Sequence, residues 1–168
     1  MNPYRTLIRT IAGHHKLDPL LVESVVETES SGNFHAYRYE PGFWLRYLVH
    51  HPRYKDMNPR EASASYGLMQ IMYSTAVEEG FTGMPWELFN PILSLEYGCR
   101  HLSKHLAWAD NYEVGTLTDR EIASALAAYN GGRRGNEPDA NPDRNGAYAL
   151  KVLKVRSRLA SDAALRKD

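Results

Sequence analysis

Cysteine is almost missing. Cys99 is the only one in 168 residues, so no internal disulfide can form and the redox compartment of folding is left open. Its helical neighbours Leu95 and Leu102 mark it as a small buried residue rather than a nucleophile. Long apolar runs are missing too: no stretch suffices to cross a bilayer. The N-terminus, MNPYRTLIRTIAGHHKLDP, lacks the continuous apolar core of a signal peptide. Synthesis in a cytoplasm and no stable membrane insertion are the expectations. A surplus of one charge is also lacking, with 20 basic against 20 acidic side chains, so nucleic acid is not an expected partner. There is no repeat, no low-complexity segment, no phosphate-binding glycine loop and almost no alternating strand pattern.

What remains is a chain that is 43% hydrophobic, enough for one globular domain over residues 1–168 with a real core, expected as a monomer. Its pattern is mainly α. Pro3 fits the first turn of a helix carrying Leu7, Ile8 and Ile11, ended by Gly13. Asp18-Pro19 is an N-cap followed by proline at the first helical position, and Gly32 is the matching stop. Between about Ala36 and Ala64 the pattern weakens. Pro41, Pro52 and Pro59 interrupt it around a short aromatic piece, FWLRYL, which predicts a surface excursion with room for a ligand groove and for a short β-hairpin. Ser74 is the expected cap of STAVEEG, which Gly80 ends, and Ser94 that of LEYGCRHLSKHLAWA. Thr118 and Glu121 form a capping-box pair before IASALAAYN, which Gly131-Gly132 terminates. Asn145 is placed to cap a last helix from about Ala147 to Leu159. The cations Arg133, Arg134, Arg144, Lys151, Lys154, Arg156 and Arg158 fit a solvated helix face better than a site for an anionic polymer.

Three carboxylates stand close together in LLVESVVETESSG. At about 100° per residue, Val22, Val25, Val26 and Glu29 share one stripe of the 19–30 helix, whereas Glu23 and Glu27 fall on the far, solvated side. Glu29 therefore occupies the place of the next core residue. Desolvation there favours its protonated form, the state a general acid needs near neutral pH. The frayed last turn of a helix is the competing explanation. Ile122, Ala125, Leu126 and Tyr129 repeat the arrangement, with a phenol ending an apolar stripe just before Asn130.

Several pieces together resemble the lytic transglycosylases of the soluble SLT type: ESSGNF, GLMQIM with a following STA, NPILSLEYGCRHL, ALAAYNGG and AYALKVL, in that order from about Leu17 to Leu153. RYEPGFWLRY and EYGCRHL look most like the phage-associated branch. The resemblance implies a lysozyme-like helical fold, related to goose-type lysozyme, with a substrate cleft. It also implies cleavage of the β-1,4 bond between N-acetylmuramic acid and N-acetylglucosamine in peptidoglycan. The glutamate of the family's Glu-Ser motif falls on Glu29, with Ser30 beside it. In such enzymes that acid protonates the leaving oxygen and then takes the proton of the muramoyl C6 hydroxyl, which closes a 1,6-anhydro ring. Neither water nor metal nor any cofactor is needed, and one carboxyl group suffices where ordinary glycosidases use two. Gln70 and Met72 match residues that line sugar subsites, Tyr129 and Asn130 match the AYN motif, and Tyr148 matches a tyrosine bordering the cleft. Gly67 is read as permitting close backbone packing.

Two departures bear on mechanism. Many relatives carry a Glu-Thr pair four residues before the last tyrosine, where this chain has Arg144-Asn145, so a second cleft carboxylate is missing unless Asp143 substitutes. Six residues before Gly67, where relatives have a small hydroxyl, stands Glu61. Goose-type lysozymes have an acid at that place and hydrolyse the bond with water, so a muramidase with Glu61 or Asp143 activating water is the alternative. A non-catalytic wall-binding or virion scaffolding module is a third. Among seven histidines, His101 and His105 have the spacing of a ligand pair, but HLSKH lacks an adjacent glutamate and no third ligand stands out. No metal is expected. A wall enzyme of this kind reaches peptidoglycan after release from the cytoplasm or inside a phage particle.

Overall fold

The computed structural model describes residues 2–109, 117–133 and 146–165. In chain order the elements are helices α1 (Arg5–His14) and α2 (Pro19–Ser30), strand β1 (Tyr37–Tyr39), the single turn α3 (Pro41–Phe43), a π-helical turn (Trp44–Leu48) and α4 (Pro59–Ala62). Strands β2 (Ala64–Tyr66) and β3 (Ile71–Met72) follow, then α5 (Tyr73–Glu78), a 3₁₀ turn (Pro85–Phe89), α6 (Pro91–Ala109), α7 (Asp119–Gly131) and α8 (Gly146–Ala164). The expected mainly helical architecture is present, with a small sheet added.

Helix starts follow one local chemistry. In Asp18-Pro19, Asn58-Pro59 and Asn90-Pro91 the Asx Oδ1 accepts the backbone N–H two residues on, at 2.9, 3.0 and 2.9 Å. The proline fixes φ at a position whose N–H would have had no helical partner. α6 thus begins at Asn90-Pro91. Ser94, expected to cap it, lies inside the first turns with its hydroxyl fully buried. Ser74 is likewise buried within α5 rather than capping it. The capping box of α7 is present as read: Glu121 N–H donates to Thr118 Oγ1 at 3.4 Å and Thr118 N–H to Glu121 Oε2 at 2.7 Å. The cap expected at Asn145 lies outside the described residues.

Two compact units share the chain, one of residues 1–28 with 99–168, the other of residues 29–98. In the first, Ile8, Ile11 and Ala12 of α1, Leu21 to Val26 of α2, and Ile122, Ala125 and Leu126 of α7 are buried. α2 is buried on every side from Leu21 to Val26. It is therefore not the amphipathic surface helix the stripe argument assumed. Glu23 is only 5% exposed, which corrects its placement on a solvated face. Arg5 of α1 grips it with Nε 3.1 Å from both carboxylate oxygens and Nη2 2.9 Å from Oε1, and that hydrogen bonding raises the Arg5 pKa further. Arg158 of α8 pairs with Glu27. Arg156 meets Asp18 at 2.8 Å and Asp119 at 3.7 Å. Arg156 is half-buried between its two partners, whereas Arg133, Lys151, Lys154 and Arg158 are exposed, as a solvated face requires; Arg134 and Arg144 lie outside the described residues. Glu23→Gln, which sequence phase alone would treat as neutral, is expected to cost about 1–2 kcal/mol because it leaves Arg5 half-satisfied. A urea midpoint equal to wild type would return Glu23 to the solvated class.

The second unit holds the antiparallel sheet, in order β1-β2-β3, with Tyr37 opposite Tyr66, Arg38 opposite Ser65, and Tyr66 opposite Ile71. The strand expected within 36–64 exists, but the hairpin does not fall there: it is β2–β3, closed across residues 67–70. The reason is backbone chirality, because Gly67 (φ 71°) and Gln70 (φ 47°) supply the left-handed conformations a tight reversal needs. Residues 41–62 instead fold into short helical turns. FWLRYL is only partly a surface feature, since Trp44, Leu48 and Tyr54 join Tyr66, Ile71, Tyr73, Phe81 and Leu88 in one buried cluster.

Candidate active site

Glu29 stands in the last turn of α2 and is half-buried. Because α2 is buried all round upstream of it, helical phase does not by itself separate Glu29 from Glu23. Glu23 and Glu27 are each held by an arginine that ties α2 to a neighbouring helix. The next residue fixes the helix end. Ser30 Oγ donates to the Leu68 carbonyl at 2.8 Å and accepts the Gly32 N–H at 3.2 Å. Ser31 (φ 53°) and Gly32 (φ 77°) then turn the chain away. The Glu-Ser pair is thereby tethered to the GLMQ turn 38 residues downstream.

That turn is seated on α6 through small residues. A Cβ on Gly67 would lie 2.4 Å from the Leu88 carbonyl oxygen and 2.7 Å from Ser94 Oγ. Ser94 Oγ also accepts the Met69 N–H at 3.2 Å. Gly98, one turn further along α6, leaves space for Met69, whose Sδ and Cβ would lie 2.6 and 2.7 Å from an added Cβ. Gln70 turns its amide inward and donates from Nε2 to the carbonyls of Ala36 (2.9 Å) and Gly67 (3.2 Å). It therefore locks β1 to the turn, and its amide nitrogen is already engaged. Met72 is half-buried on β3 opposite Ser65. Glu61 belongs to the same unit as Glu29, half-buried on α4, and its backbone carbonyl accepts the Tyr66 hydroxyl at 2.8 Å. Burial raises the Tyr66 phenol far above its ordinary range, and it also raises Tyr37, whose hydroxyl donates to the Arg60 carbonyl at 2.6 Å. These phenols stay neutral donors that brace α4 against the sheet.

The remaining expected site residues belong to the other unit. Tyr129 is half-buried and Asn130 exposed at the end of α7, before Gly132 (φ 82°), and Tyr148 is half-buried in the first turn of α8. The ring of His101 lies 5.4 Å from that of Tyr129. His101 and His105 are joined Nε2 to Nε2 at 3.1 Å, a single hydrogen bond between two imidazoles. Among the described residues no group of three His, Cys, Asp or Glu side chains converges as a metal site would. Asp143, the expected substitute carboxylate, and Arg144-Asn145 lie outside the described residues.

Ser94 and Gly98 are the site-forming residues that motif reading missed. Their signal was present as two small residues at i and i+4 on one face of α6, the spacing that lets another backbone approach closely.

A family model described as the transglycosylase SLT domain matches residues 6–154. No curated protein matches the chain. Among solved structures, the lytic transglycosylase Slt of Pseudomonas aeruginosa, determined as an inactive glutamate-to-glutamine mutant, superposes with a TM-score of 0.67 at 17% identity. The match covers 97% of this chain but 25% of that one. At that identity the likeness establishes the lysozyme-like helical fold of the matched region.

Proposed function

The chain belongs to the transglycosylase SLT domain family, and on that premise we propose that it is a peptidoglycan lytic transglycosylase with Glu29 as its acid and base. The observation that carries this reading is the Glu-Ser pair at the end of α2, tied through Ser30 Oγ to the Leu68 carbonyl of the GLMQ turn. That is the family's Glu-Ser motif held against its glycine-led turn. Glu29 protonates the glycosidic oxygen as the bond between N-acetylmuramic acid and N-acetylglucosamine breaks. The same carboxylate then removes the proton of the muramoyl C6 hydroxyl as that oxygen attacks C1. Atoms balance without water: one bond is exchanged for a 1,6-anhydro ring, and the proton is returned to Glu29. That the related Slt was studied as an inactive glutamate-to-glutamine form supports reliance on one carboxyl group.

Ser30 and Gln70 support the reading by shaping the turn, and Met72, Tyr129, Asn130 and Tyr148 are proposed to line the glycan subsites. The setting we propose is a bacteriophage endolysin or virion-associated enzyme, reaching the wall after release. RYEPGFWLRY and EYGCRHL, the pieces most like phage members, support that placement. Hydrolysis is the rival reading, with Glu61 activating water, and Glu61→Gln tests it. The variant is expected to release soluble muropeptides from purified sacculi at the wild-type rate, whereas a fall of about a hundredfold would assign Glu61 the base of a hydrolase. Binding to sacculi with no soluble product from the wild type would point instead to a non-catalytic module.

A further inference from the structure

The segment PGFWLRYLVHHPRYK, residues 41–55, contains no acidic residue but carries Arg46, Arg53 and Lys55 with two histidines. Its role is not accounted for by the glycan chemistry. Trp44, Leu48 and Tyr54 are 8%, 3% and 4% exposed and anchor it in the core of its unit. Between the first two anchors, three consecutive side chains point outward. Leu45 is 71% exposed and Tyr47 56% exposed, with Arg46 exposed between them. A π-helical turn produces this: the Val49 N–H donates to the Trp44 carbonyl at 3.0 Å, so the extra residue widens the turn and leaves 45–47 together on the outer side. Two contacts brace Tyr47. The Phe43 ring contacts Tyr47 at 4.8 Å, and the Arg46 guanidinium lies 5.9 Å from the centre of the Tyr47 ring.

We propose that this projection docks the protein onto the surface of a bilayer rich in anionic phospholipid. Leu45 offers a largely exposed aliphatic side chain, and Tyr47 offers a ring with a polar tip. That pair suits the boundary between headgroups and acyl chains. Arg46 and Arg53 supply the charge that lipid phosphates attract, while Lys55 already pairs with Asp56 at 2.7 Å and contributes less. A second copy of the chain is a poor occupant, because a two-fold contact would set these cations against themselves with no acid in the segment to answer them. A soluble anionic polymer would use the arginines and leave Leu45 in water. No described helix is long and apolar enough to cross a membrane, so the attachment is interfacial, at the depth of one side chain. It is independent of the catalytic reading, since lipid binding is measured without glycan.

The test is co-sedimentation of the whole chain with vesicles of equimolar phosphatidylglycerol and phosphatidylcholine, against vesicles of phosphatidylcholine alone. The wild type is expected to bind the anionic vesicles at low salt and to release as salt screens the attraction. Arg46→Gln/Arg53→Gln should weaken binding by at least tenfold, at about fivefold per cation, and Leu45→Ser/Tyr47→Ser should weaken it by a comparable factor. Circular dichroism melts accompany both variants, and the charge variant carries the test if the apolar one melts early. Equal binding to both vesicle types, or binding unchanged in the variants, overturns the proposal. So does a loss of sacculus binding with lipid binding intact, which would make this a contact for wall polymer.

Discussion

Glu29→Gln is expected to leave a folded protein whose release of soluble muropeptides from sacculi is lower by about 10²–10⁴-fold, the usual contribution of a positioned acid. The side chain is half-buried at a helix terminus and the substitution preserves its volume, so the denaturation midpoint should stay within about 0.5 kcal/mol of wild type. Both halves matter. A loss of activity with a loss of fold would say nothing of chemistry, whereas intact fold with activity within about threefold of wild type would remove Glu29 from the mechanism. The neighbouring acids provide the internal control. Glu23→Gln should lower stability with little effect on the rate per folded molecule, because its carboxylate is held by Arg5 in the helical unit.

Gly67→Ala is expected to be strongly destabilising, more so than the same change at Gly98. The added carbon would stand 2.4 Å from the Leu88 carbonyl oxygen and 2.7 Å from Ser94 Oγ, and the first of these is backbone that cannot rotate away. The φ of 71° adds a left-handed penalty of about 1–2 kcal/mol for a residue with Cβ, and the overpacking roughly 1–3 more. A total of roughly 2–5 kcal/mol lowers the melting temperature by about 5–20 °C in a chain of this size. Gly98→Ala meets a methionine side chain inside a helix, with no left-handed φ to oppose it, and should cost less. Calorimetry of the two variants checks the ranking. A Gly67→Ala melting point within about 2 °C of wild type would show that the GLMQ turn can shift off α6, and the tether to Ser30 would then lose its structural basis.

The helices were legible in the sequence wherever a local signal decides them. Asp18-Pro19 and the Thr118–Glu121 box work through bonds spanning two or three residues, so no tertiary knowledge is needed. Ser94 and Ser74 misled for the same reason: a serine beside an apolar run reads as a cap unless one knows it is buried. The sheet was half legible. A short hairpin was expected within 36–64, but the observed one, β2–β3, is set by Gly67 and Gln70 turning the chain, which an alternation pattern of two or three residues cannot reveal. Among the carboxylates, phase alone could not decide which one differs. The rule that one face of α2 is wet fails for a helix buried over six consecutive positions, and Glu23 shows the failure. Glu29 was identified by the order of motifs downstream. The structure adds the hydrogen bond from Ser30 to the Leu68 carbonyl, which holds the Glu-Ser pair against GLMQ. The inward-turned Gln70 amide was not legible, since a glutamine next to an expected cleft looks like a sugar ligand until its backbone partners are known.

Intramolecular closure of the anhydro ring leaves its mark in the mass of the products. Purified sacculi digested by the protein, with the released muropeptides separated and weighed, should give 1,6-anhydro-muramoyl ends, each lighter by one water than a reducing end. Digestion in ¹⁸O-water should leave those ends unlabelled. Predominantly reducing ends carrying the heavy oxygen would rule out ring closure and make the protein a hydrolase on the same scaffold.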